Sequence, residues 1–145
     1  VIVKTRHIGA ALIILAAGIA SAQDTASNPV VKERIDLMGV IRVNTGTLGD
    51  MASGKAPFDA ARAETAKAAL AEAAAQIPAR FEPQETDPVS EARPEIWTNW
   101  DDFVAKAQML QTAAEGIDTG SLDGVKAGMG AVGGVCRECH TPYRM

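Results

Sequence analysis

The sequence predicts an all-α protein, an antiparallel four-helix bundle. Apolar residues return at three- and four-residue steps in four separate segments, and no segment alternates as a strand would. Gly54 with Pro57, Pro78 and Gly120 punctuate those segments. Apart from residues 80–97 the joints are short, which favours antiparallel neighbours. With 145 residues, 47% hydrophobic and 22% charged, the chain suits one domain and is too apolar for disorder. A net charge of −4 provides no basic face for phosphate, so nucleic acid is not an expected partner.

Residues 1–22 read as a signal peptide. Lys4, Arg6 and His7 form a basic start, Ile8 to Ile19 an apolar run, and Ala20-Ser21-Ala22 the small-residue cleavage pattern. The run falls well short of the roughly 20 residues a membrane span needs, so no stable membrane insertion is expected. The mature domain is then 23–145, exported to the periplasm.

The first helix starts at Asn28-Pro29, a capping side chain followed by a proline whose missing N–H costs nothing there. Its apolar row is Val31, Ile35, Met38, Ile41, Thr45 and Leu48, and Gly54 and Pro57 stop it. The second runs from about Asp59 to Ile77 on Ala63, Ala66, Leu70, Ala73 and Ile77, with Pro78 expected to end it. Pro83, Pro88 and Pro94 make residues 80–97 the longest connection. A third helix begins near Asn99 and carries Phe103, Ala107, Leu110, Ala114 and Ile117. The last carries Leu122, Val125, Met129, Val132, Cys136 and Cys139. Its glycines at 124, 128, 130, 133 and 134 weaken an isolated helix. Either they let neighbouring helices approach, or they leave room for a flat ligand before Cys136.

Cys136-Arg137-Glu138-Cys139-His140 is the C-x-x-C-H pattern of covalent haem attachment. On a helix, positions three and four apart share a face, so two sulfurs and one imidazole project together. A thioredoxin-like dithiol would sit beside a βαβ unit, which the pattern lacks. A zinc site would need four ligands, and the mature chain has two cysteines and one histidine. One haem c per chain is the expectation, bound through Cys136 and Cys139, with His140 on the iron.

With His7 removed, His140 is the only imidazole, so a bis-histidine iron is excluded for the chain acting alone. The sixth position is left to methionine, water, another weak ligand or nothing. Met129 lies eleven residues back on the same helix, about 16 Å away along its axis. Met145 follows His140 too closely to cross the ring plane, Met109 lies off the apolar row, and Met51 sits near the end of its helix. Met38 is on the first helix's apolar stripe, where a methionine is more often core filler than ligand, and position alone leaves both open.

These features together resemble the cytochrome c-prime family. The likeness rests on the C-terminal Cys136-x-x-Cys139-His140 followed by Tyr143-Arg144, on Arg93-Pro94-Glu95-Ile96-Trp97, and on Arg34 four residues before Met38. It implies a four-helix bundle with the haem near its C-terminus and Met38 facing the distal side of the iron. Low-spin relatives ligate with a methionine there. Relatives with a non-coordinating residue are high-spin and bind nitric oxide or carbon monoxide. The resemblance also implies that Arg34 meets a haem propionate and that Arg144 lies beside the proximal histidine. The resulting expectation is a periplasmic electron carrier, not an enzyme, with His140 and Met38 as metal ligands. Its partners would be redox proteins, and monomers and homodimers both occur among relatives. A gas-binding haem protein is the alternative.

Overall fold

A computed structural model describes residues 25–145; the expected signal peptide lies outside the described residues. Four long helices and one short one form the described chain: α1 (Pro29–Ala52), α2 (Ala60–Phe81), α3 (Glu95–Thr98), α4 (Trp100–Glu115) and α5 (Leu122–Tyr143). Each long helix but α4 starts on a side-chain cap. The Asn28 side chain accepts from the Val30 and Val31 amides, Asp59 from Arg62, and Ser121 from Gly124. Gly54, at a φ of 77°, turns the chain out of α1.

Packing runs in a ring, α1 against α2, α2 against α4, α4 against α5, and α5 back against α1. Contacts between helix ends set the directions. Arg80 at the end of α2 pairs with Glu33 at the start of α1, at 2.6 Å. Phe81 at the end of α2 meets Phe103 at the start of α4, and Tyr143 at the end of α5 bonds to Asp102 there. Successive long helices are therefore antiparallel. The interior is built from Leu37, Ile41, Leu48, Leu70, Ile77, Phe103, Leu110, Val125 and Val132, with alanines of α2 and α4 between them.

Five of the six aromatic residues gather at one pole. Phe103 lies 5.2 Å from Phe81, 5.6 Å from Trp100 and 5.4 Å from Tyr143, centroid to centroid, and Trp97 stands over the Arg34 guanidinium nearby. The loop of residues 82–94 closes this pole and ties in both flanking segments. Asp87 accepts from the Ser27 and Asn28 amides and the Ser27 hydroxyl, and these bonds, Asn28 foremost, hold its carboxyl below the ordinary value. The Arg93 amide donates to the Tyr143 carbonyl and the Met145 amide to that of Glu91, which makes Ala92–Arg144 an isolated antiparallel bridge.

Two sequence expectations need correction. Pro78 does not end α2, which continues to Phe81. Proline removes one donor, but the last turn is held from outside. Arg34 Nε donates to the Arg80 carbonyl, Trp97 Nε1 donates to that of Phe81, and the Phe81 ring is buried. The apolar row of α1 is also rotated from the one expected. Ile35 is 45% exposed, whereas Arg34 is 2% exposed and takes a core position.

The glycines of α5 divide into two kinds. A Cβ on Gly128 would stand 2.7 Å from Ile117 Cγ1, and one on Gly124 would stand 2.5 Å from the Asp118 carbonyl oxygen. Those two allow the start of α5 to lie against the turn before it. Gly130, Gly133 and Gly134 have nothing within 4 Å of such a Cβ.

Candidate haem site

Cys136, Cys139 and His140 share one side of the last turns of α5, the two cysteines against the core and His140 at its exposed edge. Both cysteines are half-buried against the core, and they are not joined in a disulfide. Burial raises the Cys136 pKa and pushes that of Cys139 up to about 11, with Lys106 opposing. Burial thus favours the protonated form of both sulfurs, unlike the lowered pKa of a reactive dithiol. Among the described residues no three His, Cys, Asp or Glu side chains come together as a metal site.

Burial, then the charge of Arg144, lowers the His140 pKa, against an opposing pull from Glu91. The imidazole is therefore neutral around pH 7, the form that offers a lone pair. Its position is fixed through the end of α5. Tyr143 is 4% exposed and donates its hydroxyl to Asp102. The Tyr143 pKa is pushed up to about 12 by burial, with Asp102 adding to it. Asp102 also holds Lys106 at 3.3 Å. Arg144 reaches Glu91 through Nε at 2.6 Å and Nη2 at 2.5 Å, beside the Ala92 bridge.

On the facing helix Met38 is half-buried and packs against the core. Arg34, expected at a haem propionate, stands one turn earlier and is buried. Its guanidinium donates to three backbone carbonyls: Arg80 at 3.0 Å, Glu85 at 2.9 Å, and Pro83. It also lies 5.2 Å from the Phe81 ring centre and 5.3 Å from that of Trp97. The reason is local: a loop rich in proline leaves carbonyls without amide partners, and a planar fork of five donors can satisfy several at once. Asp102 and Glu91 were not singled out in the sequence, since their partners lie 41 and 53 residues away.

The register between α1 and α5 is readable from one contact. A Cβ on Gly49 would stand 4.0 Å from Met129 Cε, so these two residues face each other. Met38 precedes Gly49 by eleven residues and His140 follows Met129 by eleven, three helical turns in each case. In antiparallel helices both displacements run the same way along the seam. Met38 therefore lies level with His140, and Thr45 level with Gly133.

Two adjacent thiols, a neutral imidazole and an α5 seam lacking a side chain at Gly133 fit a covalently attached haem. The sequence pattern described as Cytochrome C' matches residues 29–144, nearly all of the described chain.

The chain belongs to the cytochrome c' family.

Cytochrome c-556 of Agrobacterium tumefaciens (strain apple 185) is 40% identical over 116 residues, covering 77% of this chain and 91% of that protein. Cytochrome c' of Rhodopseudomonas palustris is 33% identical over 141 residues, covering 93% and 92%. Among solved structures, cytochrome c' from Rhodobacter spheriodes superposes with a TM-score of 0.74 at 27% identity, over 80% of this chain and 95% of that one. The nitric oxide complex of a variant cytochrome c prime from Alcaligenes xylosoxidans gives 0.71 at 32% identity, over 79% and 93%. As a cytochrome c' this chain carries haem c on its two C-terminal cysteines, within the four-helix bundle of the family. Among the described residues no helix is long and apolar enough to cross a membrane.

Proposed function

We propose that this chain is a periplasmic electron carrier in which His140 and Met38 would hold the haem iron. The observation that supports it is the α1–α5 register, in which Gly49 opposite Met129 sets Met38 level with His140. Haem, when bound, supplies a one-electron iron couple, and a methionine sulfur favours its reduced form.

The chain's own residues do the rest. Cys136 and Cys139 tether the group through thioethers. The neutral His140 presents its lone pair from a helix end fixed by Tyr143 and Arg144. Arg34 immobilises the turn that leads to Met38 by bonding the 80–85 backbone. A thioether held in this way would move little on electron transfer. The excess of acidic over basic residues favours redox partners with a basic docking face. The basic, then apolar, then small-residue order of residues 1–22 supports export.

A second reading has its own support. A solved structure of a variant of a 32% identical relative is a nitric oxide complex. In that reading Met38 covers the distal side without bonding, and the protein binds small gases.

Optical spectra of the purified protein in both oxidation states separate the two. The carrier gives sharp α and β bands when reduced and a weak near-infrared sulfur-to-iron band when oxidised. Broad high-spin bands with rapid carbon monoxide uptake overturn the carrier reading.

A further inference from the structure

A threonine inside a helix commonly returns its hydroxyl to the carbonyl four residues earlier. Among the described residues three do so: Thr47 to Val43, Thr65 to Ala61 and Thr141 to Arg137. Thr45, in the same helix as Thr47, does not. Among the described residues its Oγ1 is the buried side-chain nitrogen or oxygen atom that has no hydrogen-bond partner. Buried hydroxyls are as a rule satisfied by protein, by ordered water or by a ligand.

Its place in the fold limits what the partner is. Thr45 precedes Gly49 by one turn and shares its face, and Gly49 faces Met129 across the seam. One turn on from Met129 stands Gly133, with nothing within 4 Å of an added Cβ. The hydroxyl thus lies on the seam between α1 and α5, opposite backbone that no side chain covers. Two kinds of acceptor are at hand. The Ile41 carbonyl, which Thr45 leaves alone, has a second lone pair, and so have the α5 carbonyls around Gly133. A small molecule that both donates and accepts can join these groups where a protein side chain is missing.

We propose that Thr45 and Gly133 frame a binding site for one ordered water molecule on the haem-facing seam, anchored by the Thr45 hydroxyl. The proposal rests on haem c lying between α1 and α5 but not on Met38 being a ligand. A water held there is a polarisable dipole in an otherwise apolar crevice. Such a group favours the more highly charged, oxidised iron, so it holds the reduction potential below that of a dry crevice.

The test uses the haem-loaded protein and two substitutions, Thr45→Val, which keeps the shape and deletes the hydroxyl, and Thr45→Ser, which keeps the hydroxyl. Thermal melting, potentiometric titration and a high-resolution crystal structure are the readouts. The proposal expects Thr45→Val to lower the melting temperature by about a few degrees and to raise the midpoint potential. It expects Thr45→Ser to keep the parent potential, and the parent crystal to show water within hydrogen-bond distance of Oγ1. Unchanged or higher melting with an unmoved potential in Thr45→Val overturns it. So does Thr45→Ser behaving like Thr45→Val, or density with Oγ1 bonded to the Ile41 carbonyl or directly to the haem. The spin state of the parent protein reports on Met38 separately, so failure of one reading is distinguishable from failure of the other.

Discussion

Gly49 of α1 and Met129 of α5 face each other, with Met129 Cε 4.0 Å from where a Gly49 Cβ would stand. That contact is ordinary in length, so a methyl group fits. Gly49→Ala is expected to stabilise the helix by about 0.5–1 kcal/mol and leave the optical spectrum unchanged, as read by thermal melting and absorbance. Gly49→Leu would need space that Met129 fills, and is expected to lower the melting temperature.

Met38→Ala removes the thioether that the register sets level with His140. The expected outcome is conversion from low-spin to high-spin bands and new uptake of carbon monoxide, followed by absorbance. An unchanged spectrum would mean that the sulfur belongs to another residue or that the position was vacant from the start.

Arg34→Met should destabilise the fold by about 3 kcal/mol, because three carbonyls of the 80–85 segment lose their donor inside the protein. Arg34→Lys should recover little of this, since a single ammonium cannot reach all three or stack between Phe81 and Trp97. Urea titration measures both.

The glycines of α5 make opposite predictions within one helix. Gly128→Ala places a methyl 2.7 Å from Ile117 Cγ1 and should cost about 1–3 kcal/mol. Gly130→Ala meets nothing within 4 Å and should gain about 0.5–1 kcal/mol from helix propensity. Denaturation midpoints of the two variants are expected on either side of the parent.

Tyr143 gives the alkaline limit of stability a definite sign. Its pKa rises from the unfolded value of about 10 to about 12 in the fold, first through burial and then through Asp102. The native state keeps its proton longer, so the stabilisation is complete below about pH 10 and is lost as pH rises through about 12. Tyr143→Phe should flatten the stability profile over that window. An equally steep decline in the variant would assign the titration to another group.

Legibility from sequence followed the range of the physics. Helical periodicity found the buried rows of α2 and α4, because Ala63 to Ile77 and Phe103 to Ala114 recur at three- and four-residue steps; Ile117, read as part of the same helix, is buried but lies beyond its end at Glu115. It failed at Arg34 and Ile35, where a buried arginine displaces an isoleucine for the sake of carbonyls about 50 residues away. Pro78 misled for a similar reason: donors from Arg34 and Trp97 hold a turn that local propensity would end. The haem-attachment residues were legible since a five-residue motif carries its own geometry. Glu91 and Asp102, which hold the helix bearing that motif, were not, since only the folded chain brings them near it.

Loop 82–94 has a dynamic consequence. Through Asp87 it fastens the start of α1, and through Glu91 and Arg93 it fastens the end of α5, so two segments far apart in the chain depend on a single surface element. Hydrogen exchange should reveal this as one cooperative opening unit, in which the amides of Ser27, Arg93 and Met145 lose protection together while the centres of α2 and α4 stay closed.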